Sequence, residues 1–168
     1  IGNLKASGSF KMGDLSFKFD PKKDFGLLDW GRGVWPFHEV WYWGQVNDYM
    51  PDGRMINLNL GYGFGNLEAA SENMLILDGK AYKLGRLYIA NDVTKDYMAD
   101  WVIKSDDGKI DLVMKTIYDR YSNNDFKVIF MKCHQVYGRY YGTITLDDGT
   151  VVELTGQQGF FERSHNKW

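Results

Sequence analysis

The chain holds one cysteine, three prolines and no long apolar stretch in its 168 residues. A single cysteine excludes an internal disulfide framework and any multi-cysteine zinc site. Scarce proline leaves strands free of ladder-breaking positions. The longest aliphatic runs, Met74 to Leu77 and Val128 to Met131, fall far short of the ~20 apolar residues of a membrane-spanning helix. Charge of one sign is missing too. Twenty basic side chains face 22 acidic ones, for a net charge of −2. That balance argues against a nucleic-acid binder working by phosphate neutralisation. No window carries a sustained i, i+3, i+4, i+7 apolar stripe. The best helical segment is short, Leu67 to Asn73, with room for one or two turns. Secretory signal features are absent at the start, so a cytoplasmic location is expected. The chain opens on Ile1 rather than Met, which reads as a fragment, a processed product or the ordered part of a longer chain.

What is abundant is glycine, with 19 residues, and aromatics, with 6 Trp, 11 Tyr and 10 Phe. Four Asp-Gly dipeptides punctuate the chain at Asp52, Asp78, Asp107 and Asp148. Asp-Gly suits type I′ hairpin turns, which need positive φ at both central residues. The flanks agree, since Ile110, Leu112, Met114, Thr116 and Tyr118 alternate with a more polar set. Four hairpins predict about eight strands, and Leu15–Phe19 and Gly26–Asp29 add one or two. The expected fold is all-β, an antiparallel barrel of about 8–10 strands, closed or nearly closed so that few strand edges stay exposed.

The densest segment runs from Asp29 through Trp30, Gly31, Arg32, Gly33, Val34 and Trp35 to Pro36, then on to Val46. On a strand, Phe37, Glu39, Trp41, Trp43 and Gln45 share one face. That is an aromatic wall with polar handles, suited to an apolar ligand or equally to a packed core. Asp29 and Arg32 read either as site residues or as a partly buried ion pair fixing a turn. Gly33-Val34-Trp35 matches the Gly-x-Trp of lipocalins, a triplet too common at this composition to carry weight. Gly61 to Asn66 lacks the Gly-Lys-Ser/Thr of a phosphate loop and reads as a strand bend. Cys133 and His134 are adjacent, so on a strand they point to opposite faces and cannot act as nucleophile and base. His38, His134 and His165 show no zinc-ligand spacing, so no metal is expected. Gln135, Tyr137, Arg139 and Tyr141 share a second mixed face. Glu162 and His165 would meet on a helical turn but oppose each other on a strand.

Several of these stretches resemble a bacterial family catalogued as domain of unknown function 2804. They are Asp29 to Pro36, Leu58 to Gly61, Glu72-Asn73, His134 to Gly138, Asp147 to Gly149, and Gly159 to Trp168. The resemblance covers Asp20 to Trp168, with residues 1–19 as a junction or first strand. It implies a lipocalin-like (calycin) barrel over residues 20–168, and a chain that is the C-terminal half of a protein about twice as long. The missing N-terminal barrel would then be a partner, and the isolated half could dimerise through the vacated face. The family is distantly similar to paired-barrel proteins that include carotenoid hydratases and tocopherol cyclases. It supplies no reaction.

Two functions follow. The first is binding of an apolar or amphipathic small molecule, lipid or isoprenoid-like, in an aromatic-lined cavity or inter-domain cleft. Trp30, Trp35, Trp41 and Trp43 would supply contact area, with Arg32, Asn73, Gln135, Tyr137 and Arg139 as polar contacts. The second is a cofactor-independent hydratase, cyclase or isomerase, in which a buried acid protonates an unsaturated substrate. Asp29, Glu72 and Glu162 are the candidate acids. Asp29 is the poorest of them, because Arg32 nearby would lower its pKa.

Overall fold

A computed structural model describes residues 1–168. It contains thirteen strands: β1 (Leu4–Lys5), β2 (Gly8–Met12), β3 (Leu15–Phe19), β4 (Phe25–Gly26), β5 (His38–Tyr49), β6 (Met55–Tyr62), β7 (Met74–Leu77), β8 (Lys80–Lys83), β9 (Leu87–Ile89), β10 (Trp101–Ser105), β11 (Ile110–Asp125), β12 (Phe130–Thr145) and β13 (Val151–Lys167). Nine of them form one antiparallel sheet in the order β8-β7-β6-β5-β13-β12-β11-β10-β9. The sheet curls into a half-barrel, and β9 approaches β6 across the curl without pairing to it. The fold is the all-β class expected, consistent with a lipocalin-like barrel.

All four Asp-Gly dipeptides turn the chain, but by two geometries. Asp78 and Gly79 both have positive φ, 49° and 81°, as a two-residue type I′ turn requires. At the other three sites only the glycine is left-handed. There the loops hold three residues. Met50 N–H, for example, donates to Arg54 O, and Gly53 N–H to Met50 O. Asp52, Asp107 and Asp148 each accept a backbone N–H two residues on, a local turn that needs no positive φ at Asp. The short helix does not form. Asn66 to Ala70 makes a single turn, because two alanines between loops offer no apolar stripe to bury. Gly26–Asp29 is strand only at Gly26, whose register partner is Leu4; Leu28 instead meets the chain start, donating to Ile1 O.

Strand alternation sends Val46, Ile56, Leu58, Leu60, Leu112, Val136 and Phe161 into the curl, where Trp101 and Tyr140 join them with no exposed surface or almost none. Gly44 makes this possible beside β13, since the Phe161 ring fills the space a Cβ would need. Side chains of this kind contribute roughly 1.5–3 kcal/mol each on full burial. The inside of the curl is therefore packed core, and the room for a ligand lies on the other face of the sheet.

That outer face is partly covered by the N-terminal 37 residues. β1 pairs with β4, Asn3 N–H donates to Asn47 Oδ1 at 2.6 Å, and the Phe25 ring lies 5.1 Å from Tyr49. β2 and β3 form a separate exposed hairpin. The 27–36 segment then runs as a strap over the sheet and leaves a groove beneath it.

Candidate functional site

Strand register builds the floor of the groove. Trp43, Glu162 and Gln135 stand in one cross-strand row over β5, β13 and β12. Trp41, Ser164 and Cys133 form the next row, and Glu39, Asn166 and Met131 the one after. The rows span roughly 13 Å along the strand at ~3.3 Å per residue. Asp29, Gly31, Trp35 and Pro36 of the strap form one wall, and Phe64, Glu72 and Trp168 close the sides of a cavity of about 410 Å³. The Phe64 ring meets Trp35 at 5.2 Å and Trp41 at 5.5 Å, both edge to face. A second cavity of about 600 Å³ continues under Leu27 to Trp30 and shares Asp29, Trp43 and Glu72 with the first. Gly61 lets Glu72 lie over the sheet, since a Cβ there would run into its carboxylate.

The electrostatics are one-sided. Asp29, Glu39, Glu72 and Glu162 line the first cavity, and no lysine, arginine or histidine does. Burial pushes the Glu162 carboxyl up from its ordinary value. Gln135, Ser164 and Cys133 oppose that by hydrogen bonding, while the charge of Asp29 adds to it. Gln135 Nε2 donates to Glu162 Oε2 at 3.0 Å, and Tyr137 Oη donates to Gln135 Oε1 at 2.9 Å. Glu72 accepts from Asn59 Nδ2 at 3.1 Å, and the same Asn59 accepts from Trp43 Nε1 at 2.9 Å. In the second cavity Lys83 is the one cationic side chain, with its amine held by Ser71 and the Asn73 carbonyl. Burial lowers its pKa, and the charge of Glu72 opposes the shift.

The structure brings together Asp29, Trp35, Trp41, Trp43, Glu72 and Glu162. Trp30 lines the second cavity with three-quarters of its surface exposed. Gln135 and Tyr137 act behind Glu162 rather than in the wall. Asn73 is fully buried and serves the fold: Gly61 N–H donates to its Oδ1 at 2.7 Å and its Nδ2 donates to Gly85 O at 2.9 Å. Arg139 turns to the Gly156 carbonyl at 3.0 Å, away from the groove. Arg32 is exposed and makes no ion pair with Asp29, since the strap turns without one.

Phe64, Met131, Asn166 and Trp168 reach the cavity without having been singled out. Asn166 and Met131 follow from the pairing register, which the sequence does not print. The opposite face of the same strands gathers the histidines. His38 and His165 place their Nε2 atoms 2.7 Å apart. His134 Nδ1 lies 2.7 Å from Asp119 Oδ2 with its ring stacked between Tyr97 and Tyr121. Cys133 and His134 thus diverge as strand alternation requires, and so do Glu162 and His165. Burial pushes the Cys133 thiol up to about 11, so it is no nucleophile near neutral pH.

A family model described as Domain of unknown function (DUF2804) matches residues 1–168, the first 19 included. Comparison with curated proteins and with solved structures finds no match.

Proposed function

The chain belongs to the DUF2804 family, and we propose that it binds an apolar or amphipathic small molecule in the groove between the 27–36 strap and the outer face of the sheet. The observation that carries this reading is the cavity of about 410 Å³ walled by Trp35, Trp41, Trp43, Phe64 and Trp168. Small-molecule sites are concave, mostly apolar and ~300–1,000 Å³, with a few polar groups that fix orientation. The packed interior of the curl supports the outer groove over a barrel lumen. Titration with N-phenyl-1-naphthylamine, uncharged at neutral pH, tests it. Its fluorescence should rise with the wild-type chain and fall back with Trp35→Ala, a strap residue outside the core. Equal signal from both proteins would place the probe elsewhere and sink the reading. Native mass spectrometry of protein purified from its host should find a bound lipid-sized molecule.

A second reading, acid catalysis without a cofactor, is favoured by Glu162. It is largely buried, raised in pKa, supported only by neutral donors and set opposite Trp43. A carboxyl kept protonated can donate to an alkene, and indole faces stabilise the cation that forms. Glu72 fits less well, because it is exposed and lies in reach of the Lys83 charge.

A further inference from the structure

Asn166 is 5% exposed and lines the first cavity, yet its side-chain amide has no hydrogen-bond partner in the protein. Its amide atoms are not sealed from solvent, so their open positions face the cavity, where a ligand's polar group can take the place of water. The company it keeps decides which group. Four carboxylates line the same space with no cationic side chain among them, in a chain whose 20 basic residues nearly balance its acids. Glu39, opposite Asn166 in the register, and Glu162, one row beyond Trp41, are both without an ion pair. Glu39 and Glu162 are half-buried, and taking such carboxylates out of water without a cation is costly. An anionic ligand would add to that repulsion, and a neutral one would leave it standing.

A metal ion does not fit the groove. No three acidic or histidine side chains converge closely enough to hold one. The walls between the carboxylates are instead indole and phenyl rings, which attract organic cations through their π faces. Asn166 Oδ1 and the carboxylates are hydrogen-bond acceptors, which favours a cation that carries N–H groups over a quaternary one.

We propose that the ligand of this cavity is an amphipathic amine. Its apolar body lies against Trp35, Trp41 and Phe64, and its protonated primary or secondary nitrogen is held at the Glu39–Asn166 row, in the field of the other carboxylates. The proposal rests on the reading that the groove takes a small molecule. The test is calorimetric titration of the whole chain at pH 7 with octylamine, 1-octanol and octanoate, which share one apolar body and differ in charge. Octylamine should bind at least tenfold tighter than octanol, and octanoate weakest. Glu162→Gln and Glu39→Gln should each weaken octylamine several-fold and leave octanol unchanged; the two near-isosteric variants guard against a misfolded one. Octanol or octanoate binding as tightly as octylamine overturns the amine and leaves the small-molecule reading standing. No binding of any of the three overturns both.

Discussion

Glu162 on β13 stands directly opposite Trp43 on β5, and every hydrogen bond its carboxylate accepts comes from a neutral group: Gln135 at 3.0 Å, Ser164 at 3.2 Å and the Cys133 sulfur at 3.8 Å. A charge buried on such terms is held against the stability of the fold, as site residues commonly are.

Glu162→Gln should therefore raise Tm, and by an amount that depends on pH. The folded-state pKa of Glu162 lies above its unfolded value of about 4.5. The folded chain then holds the proton more tightly, so wild-type stability falls as pH rises from below 4.5 through the folded pKa. Glutamine at this position has no proton to lose. Thermal melts should separate the two proteins at pH 8, with the variant higher, and bring them together near pH 4. A wild-type chain that melts higher at pH 8 would mean the carboxylate has a cationic partner in solution.

Asn73→Ala should cost stability without touching ligand binding. The substitution strands the buried Gly61 N–H and the Gly85 carbonyl that Asn73 now satisfies. Each unsatisfied buried group costs about 1–3 kcal/mol. Urea unfolding should show a loss in that range or above, with the m-value unchanged. Affinity for a groove ligand should stay within a factor of two.

Gly61→Ala and Gly142→Ala make a contrasting pair. At Gly61 the added methyl meets the end of the flexible Glu72 side chain, which can swing away. The fold should survive with a loss below about 1 kcal/mol, while the groove loses the placement of Glu72 and ligand affinity drops several-fold. At Gly142 the φ is +117° and the methyl meets the Asp111 carbonyl of the paired strand. Backbone cannot move as a carboxylate can, and a strained φ alone costs about 1–3 kcal/mol. Denaturant melts and a binding titration on both variants separate the two kinds of glycine.

The all-β class, the hairpin positions and the opposite facing of Cys133 and His134 were legible because each depends on local rules: turn chemistry and a side-chain period of two; the four short N-terminal strands outside the nine-stranded sheet carry the count to thirteen. The Trp41–Trp43 face was legible for the same reason. What lies across from it was not. That Glu162 meets Trp43 and Asn166 meets Glu39 depends on pairing between strands more than a hundred residues apart, and that Gln135 meets Glu162 depends on a register shift at Tyr140/Tyr141 that re-phases β13 against β12. Nor could alternation say which face looks inward. The aromatic wall of β5 faces out of the curl because Gly44, Val46 and Tyr42 on its other face pack with Leu58, Leu60, Tyr62 and Phe161. Asn73 misled because a short polar residue beside Glu72 looks like a site residue, whereas its place just before β7, bonded to Gly61 of β6 and to Gly85 after β8, makes it a buried bracket.

The far end of the long strands should loosen in mild acid before the core does. His165 and His38 sit on adjacent strands with Nε2 atoms 2.7 Å apart and rings stacked at 5.0 Å, so one nitrogen donates and the other accepts only while at most one ring is charged. Burial lowers the His165 pKa from 6.5, and the charges of Arg163, His38 and Lys132 lower it further. Phe130, edge-on to both rings, offers no anion in return. A histidine pKa depressed in the folded state means that the unfolded chain takes up the proton first. Stability from this pair is therefore full above about pH 6.5 and is lost as pH falls through the folded pKa. Hydrogen exchange should show the amides near Lys167 and Val40 losing protection between pH 7 and pH 5, while those of β10 and the core of β11 do not. His165→Phe, which keeps a ring for Phe130 and carries no charge, should flatten that pH dependence. An unchanged slope in the variant would mean that the His38–His165 pair is not the source of the acid sensitivity.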